Sequence, residues 1–559
     1  MQQQRFFGET LAGWCKLCGP EQPTDGKTEQ LLKKPPKMWM RDALREGFSA
    51  LQVGNTDQAG ECCRRVLEAR QDLPEAHFLV GLIALELEQR KTAISAFGSV
   101  TKIDATHGPA WAHLARLFMQ TGQTLRADNA LAQAVEHADD NPVVLDLIGH
   151  VHTMLGEEDE ALKWYSRAVD GQPRNVPFLV NKANCQMYVG DLEGSKATLQ
   201  KALQLSPGNS SAHWILASLR KAKDRDHVHE MEKLLESSRY PNRAKAFLWY
   251  AIGKELEDLE EWDGAFEAFS NGARAKRDTI ELDEQAEIDM YKTFEETFTQ
   301  EWMDSTPDGF DSNAPVFVVG QPRSGTTLVE RIITAHPDVT SAGELKQFGN
   351  AMRRLSGYSE PQRFSAKLVK GASAVDTKKL GGMYIETSRK MAGDTPHFVD
   401  KLPINFMYVP LILKALPNAK IVHLQRNPMD ACFSSFKQLF ADAYQHSYDL
   451  EEMARHHARY YRLMETWRER FGDRFFDIAY EDVARDLEPN ARALIDFLEL
   501  PWNDACLEFH KQKSAVATAS AVQVRQPAHT KSIGRWRRYE NQLEPMRRQL
   551  EALGIPITE

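Results

Sequence analysis

A period of 34 residues constrains this chain more than any other feature. Gly47, Gly81, Ala115, Gly149, Ala183 and Ala217 are small residues set 34 apart, and Ala59, Ala93, Ala127, Ala161 and Ser195 repeat that interval in a second register. Bulkier side chains hold a third, at Phe97, Leu131, Tyr165 and Leu199, and Ala134, Ala168 and Ala202 a fourth. A fixed period of this length marks stacked helical units, each too small to bury its own apolar face. Small residues are needed where two helices cross closely, and the bulky register is expected to fill gaps between neighbouring repeats. Pro74, Pro142 and Pro207 fall where the second helix of a repeat must stop.

The pattern resembles the tetratricopeptide repeat over roughly residues 40 to 220, with a further unit around Gly253, Ala265 and Phe269. Residues 221–239 keep helical periodicity but lose the small-residue register, so that repeat is expected to be degenerate. The domain reading is a tail at 1–39, a repeat solenoid at 40–278, a helical connector and linker at 279–314, and a second domain at 315–559. A solenoid offers a surface for an extended peptide or partner protein. The partner is either an acceptor or a scaffold protein, and a purely architectural role is the alternative.

Charge and cysteines narrow the rest. A formal net charge of -10 and a pI near 6.0 argue against nucleic acid as a partner. No apolar run approaches the ~18 residues of a membrane span, and the N-terminal residues lack the apolar stretch of a secretion signal. Cys15 and Cys18 form a lone CxxC, and the seven cysteines offer no second pair for a zinc site. Reduced thiols and a cytoplasmic setting are expected.

From Pro315 onward short apolar runs, PVFVVG, HFVDK, AKIVHLQ and RFFDIAY, alternate with amphipathic stretches. That alternation predicts an α/β domain with a mainly parallel sheet, whose ligands bind at the carboxyl ends of strands. The first run leads into Gly320-Gln-Pro-Arg-Ser-Gly-Thr-Thr327, a P-loop-like turn in which Thr326 replaces the lysine of a nucleotide triphosphatase. Gly325 lets the backbone aim its N–H groups inward, Ser324, Thr326 and Thr327 add hydroxyls, and Arg323 adds a planar cation suited to tetrahedral oxyanions. Downstream, Arg426 ends an apolar strand, Asn427 and Pro428 read as an N-cap and first helical residue, and Ser434 sits about two turns on.

These two clusters together resemble the sulfotransferases that use 3′-phosphoadenosine 5′-phosphosulfate (PAPS). The run PRSGTTL followed by AHPDVTSAGE is closest to the tyrosylprotein sulfotransferase branch and its bacterial relatives fused to tetratricopeptide repeats, over about residues 315 to 540. The resemblance implies that Arg323, Ser324, Gly325, Thr326 and Thr327 hold the phosphosulfate and that Arg426 with Ser434 hold the 3′-phosphate. It further implies Glu344 as catalytic base, Lys401 against the transferring sulfuryl group, Tyr480 near the nucleotide, and Ser520 and Arg535 closing over the cofactor. The family places another arginine four residues after the serine; here that position is Gln438, with Lys437 as a substitute.

Sulfuryl transfer leaves the protein little covalent work, and no metal is expected. The leading reading is transfer to a protein or peptide tyrosine. A small hydroxylated acceptor (glycan, lipid or phenol) and a non-catalytic repeat scaffold with a nucleotide-binding domain are the alternatives. His456 and His457 read as a polar helix face, and His336 as a loop residue ending the helix after the anion loop.

Overall fold

The computed structural model describes residues 37–237, 240–305, 309–358, 360, 365–440, 443–512, 514–518 and 520–557. The Cys15–Cys18 pair lies outside them. The chain forms two compact units, Met1–Lys182 and Ala183–Glu559.

In the first unit the 34-residue period becomes helix pairs: Met38–Gln52 with Thr56–Ala69, Pro74–Glu86 with Arg90–Ile103, Gly108–Gln120 with Thr124–Glu136, and Pro142–Leu155 with Glu158–Gly171. Gly81 shows why its register must stay small, since a Cβ there would lie 2.5 Å from the Phe97 ring on the paired helix. Phe97 therefore fills a gap inside its own repeat, not only between repeats as expected. Its other face stacks on His113 of the next repeat at 4.7 Å. The prolines also differ from expectation. Pro74 and Pro142 occupy the first turn of the following helix, where a missing N–H costs nothing.

The second unit opens with further repeat helices, among them Leu192–Leu205, Ser210–Leu219, Asp226–Leu235, Asn242–Asp258 and Trp262–Arg277. The degenerate repeat substitutes a buried polar chain for small residues. His213 pairs with His227 at 2.8 Å, and Glu255 receives His227 at 2.8 Å and Arg220 at 3.0 Å. In the last repeat Gly253 faces Phe269 as Gly81 faces Phe97.

Two helices follow, Glu284–Thr297 and Gln300–Asp304, the first burying Tyr291 and Phe294 in a core shared with Phe317, Phe348 and Trp467. The α/β part is built on five parallel strands, β1 Pro315–Gly320, β2 Val339–Ser341, β3 His397–Asp400, β4 Lys420–Gln425 and β5 Phe475–Ala479, in the order β2-β3-β1-β4-β5. All six residues of β1 are buried, as a central strand covered on both faces requires. The chain leaves β1 towards the β2 side and leaves β4 towards β5. The crevice between the ends of β1 and β4 is therefore the topological switch point, where such sheets bind ligands.

Candidate functional site

Each strand delivers one implied residue at or just past its carboxyl end: the Arg323 loop after β1, Glu344 after β2, Lys401 after β3, Arg426 after β4 and Tyr480 after β5. The loop and the β4 end are joined directly. Arg323 adopts φ 64, which turns its carbonyl to accept from Arg426 Nη1 at 2.6 Å. A non-glycine residue there carries backbone strain, which recurs at ligand sites. Ser324 is buried and donates to the Gln321 carbonyl at 2.7 Å, while Ser435 donates to the Pro322 carbonyl at 3.2 Å. Helix Thr326–Thr334 then begins with Gly325 as its N-cap, so its first amides have no intrahelical acceptor. Thr326 and Thr327 are both buried at that end.

Arg323 and Arg426 form the cationic side. Arg323 donates Nη1 to Ser520 at 2.8 Å, which brings the C-terminal segment onto the loop. Arg426 donates Nη2 to the Ser532 carbonyl at 2.8 Å and lies over the Tyr480 ring at 4.7 Å. Burial pushes the Arg323 guanidinium down to about 10, and the nearby Arg426 charge pushes the same way. Two cations held this close favour a bound anion. The Nε atoms of Arg323, Arg426 and Arg535 and both side-chain polar atoms of Gln321 are buried without a protein partner. Such groups are costly unless an added acceptor and donor satisfy them, so these residues fit a phosphate-bearing ligand.

Asn427 caps helix Pro428–Phe436 as expected, accepting from the amides of Met429 at 3.0 Å and Asp430 at 3.3 Å. Ser434 is half-buried on that helix. Lys437, read as a substitute for the family's arginine at Gln438, is held from the repeat side. Its Nζ donates to Glu257 at 2.6 Å and lies 4.7 Å from the Phe433 ring, so it is committed to a repeat helix. Gln438 turns its amide to the Leu439 carbonyl at 3.4 Å.

On the other side of β1, Lys401 donates Nζ to Glu344 at 2.5 Å. The lysine side chain is 2% exposed and the glutamate 46% exposed, so a buried cation meets a carboxylate open to solvent. Burial disfavours the Lys401 charge, but Glu344, Glu330 and Asp400 outweigh it and hold the ammonium above its ordinary value. Lys401 is thus charged at neutral pH. Glu330 is tied to Ser341 at 2.6 Å, and burial raises its carboxyl. The backbone fixes the pair too, since Lys401 N donates to the Gly343 carbonyl at 2.9 Å.

One histidine expectation needs correction. His456 and His457 are buried, not a polar face. His456 pairs with Glu287 at 2.5 Å and stacks on His446, because helix Glu284–Thr297 lies against that side of helix Leu450–Phe471. His336 lies in the loop that ends helix Thr326–Thr334, as expected, and is buried there, pairing Nε2 with the Pro501 carbonyl at 2.8 Å.

Sequence reasoning missed Gln321, Glu330, Asp430 and Glu257. Asp430 accepts from the amides of Gly534 at 2.6 Å and Trp536 at 3.1 Å, which fixes the backbone around Arg535. None carries a local motif, and Asp430 and Glu257 act through partners more than 100 residues away in sequence.

Residues 315–504 match the sulfotransferase family, and residues 84–151 and 176–209 match tetratricopeptide repeats. An uncharacterised protein of Aquifex aeolicus is 30% identical over 423 residues, covering 74% of this chain and 55% of that protein. A protein-tyrosine sulfotransferase of Drosophila melanogaster is 24% identical over 234 residues, covering 40% of this chain and 46% of that enzyme. Protein-tyrosine sulfotransferase 1 of Danio rerio is 24% identical over 245 residues, 42% of this chain and 68% of that enzyme. The chain thus spans about half the length of the first two relatives. It carries N-terminal tetratricopeptide repeats and a C-terminal sulfotransferase-family α/β domain with distant similarity to protein-tyrosine sulfotransferases.

Proposed function

We propose that this chain, with its repeats and its sulfotransferase-family domain, transfers a sulfuryl group from PAPS to a tyrosine of a protein or peptide. The observation that carries the reading is the Lys401–Glu344 pair at 2.5 Å, set at neighbouring strand ends on the sheet whose switch point holds the Arg323 and Arg426 loops. The similarity to enzymes named protein-tyrosine sulfotransferases supports tyrosine as acceptor.

The donor brings an activated sulfuryl group whose leaving group is a phosphate. Arg323, the first amides of helix Thr326–Thr334 and the Thr326 and Thr327 hydroxyls hold that end, and Arg426 with Ser434 hold the 3′-phosphate. Ser520 and Arg535 close over it. As the acceptor oxygen bonds to sulfur, the bond from sulfur to the bridging oxygen breaks and negative charge grows on the phosphate. Lys401 is the buried cation that stabilises this charge in a preorganised way. Glu344 takes the phenolic proton, which is not released spontaneously at neutral pH because a phenol's pKa is about 10. For this Lys401 must exchange its Glu344 contact for the donor.

The repeats present the acceptor or bind a scaffold partner. No helix among the described residues is long and apolar enough to cross a membrane. The cytoplasm is the proposed compartment, and the free thiols at Cys62, Cys63, Cys432 and Cys506 support it.

The test supplies labelled PAPS with a tyrosine peptide or a simple phenol, using wild-type protein and Glu344→Ala. Wild type should label the peptide. The variant should lose about a hundredfold or more in turnover while keeping its calorimetric affinity for 3′,5′-bisphosphoadenosine. Label on the phenol alone would assign a small acceptor. Unchanged turnover in the variant would remove Glu344 as base.

A further inference from the structure

Glu257 lies on the repeat helix Asn242–Asp258, outside every segment implied to touch the donor. It is nevertheless where those segments converge. Lys437 donates to its Oε1 at 2.6 Å and the Tyr539 hydroxyl to the same oxygen at 2.9 Å, and Arg535 Nη2 forms an ion pair with its Oε2 at 2.9 Å. The residue is 9% exposed, so this is a buried carboxylate with both oxygens engaged.

Its partners belong to the 3′-phosphate side. Lys437 caps helix Pro428–Phe436 one turn after Ser434. Arg535 sits between the two amides that Asp430 of that helix holds. A second tie from the repeats lies nearby, where the Tyr188 carbonyl accepts from Val516 N at 3.0 Å and from Arg525 Nη2 at 2.9 Å. Residues 516–525 include Ser520, the partner of Arg323.

Without Glu257 this corner would change in two ways. Arg535 would lose the anchor that fixes its long side chain. Lys437, which burial pushes down to about 8 even with Glu257 pulling upward and with Arg535 and Arg323 adding like charge, would lose the group that keeps it protonated. Preorganised cations bind a dianion better than mobile or neutral ones.

We propose that Glu257 is a positioning residue for the donor's 3′-phosphate, holding Arg535 and Lys437 in place so that the last repeat forms part of the nucleotide site. This rests on the PAPS reading above. A purely structural tie between repeat and domain would instead affect stability without regard to ligand.

The readout is the ratio of calorimetric affinities for 3′,5′-bisphosphoadenosine and adenosine 5′-phosphate, which differ only in the 3′-phosphate. In the full-length protein Glu257→Gln should shrink that ratio about tenfold, the worth of one charge-assisted contact, leaving 5′-phosphate affinity unchanged. Arg535→Gln, altering a partly exposed side chain, should shrink it similarly, and the double variant should add little, since both act through one contact. Equal weakening of both ligands, or a lowered Tm with the ratio intact, overturns the proposal. So does an unchanged ratio in Arg535→Gln, which decides the matter if Glu257→Gln does not fold. A wild type that fails to prefer the bisphosphate would bring down the donor reading itself.

Discussion

Gly325 meets two demands at once. Its φ is 106, which a side chain tolerates poorly, and an added Cβ would lie 2.5 Å from Cδ2 of Tyr480. Tyr480 in turn underlies Arg426. Gly325→Ala should therefore cost about 1–3 kcal/mol of backbone strain and push Tyr480 and Arg426 out of place together. Thermal melts should show a lower Tm, and calorimetry should show 3′,5′-bisphosphoadenosine binding weakened tenfold or more. Thr327→Ser, on the same loop but without either constraint, should be mild by comparison. The position of the neighbouring Arg323 was legible from sequence because a glycine-bounded turn after an apolar strand is local chemistry. The partner of Lys437 was not, because an ion pair leaves no periodic trace when its members lie 180 residues apart.

At the scale of elements, β1, β3, β4 and β5 were legible as apolar runs, whereas β2 has only three residues and no readable period. The anion-loop helix and the helix capped by Asn427 were legible because caps and glycine turns are local chemistry. The pairing of β4 with β5 also carries a pH dependence. Asp477 on β5 meets His423 of β4 at 2.6 Å and Arg468 at 2.8 Å. Burial favours the neutral acid, but those two partners outweigh it and hold the carboxyl well below its usual 3.8. A depressed acid binds fewer protons folded than unfolded. Its stabilisation is therefore complete above that ordinary value and is lost progressively as pH falls from there through the depressed folded value. Asp477→Asn should lower Tm at pH 7 and flatten the decline of Tm below about pH 4, as melts across a pH series would reveal.

For the molecule as a whole, the repeats do not stop at the edge of the α/β domain. Leu248, Ile252 and Phe269 of the last repeat share a core with Met429, Phe433, Phe436, Tyr539 and Leu550, and Tyr250 donates its hydroxyl to the Phe436 carbonyl at 2.9 Å. Removing residues 1–279 would uncover these side chains at about 1.5–3 kcal/mol each for the large apolar ones. Such a truncation should aggregate on size-exclusion chromatography and lose 3′,5′-bisphosphoadenosine binding. A soluble, binding-competent truncation would show that the shared core is dispensable.

The amino-acid sequence by itself determined the repeat period, which a fixed 34-residue interval carries, and the helix caps, the apolar strands and the glycine-bounded loop, which depend on residues within a turn or two of one another. Only the tertiary structure decided that Lys401 meets Glu344, that Lys437 serves a repeat carboxylate, and that Asp430 anchors the segment carrying Arg535. Those contacts join residues far apart in the chain, and packing, which has no local signature, is what brings them together.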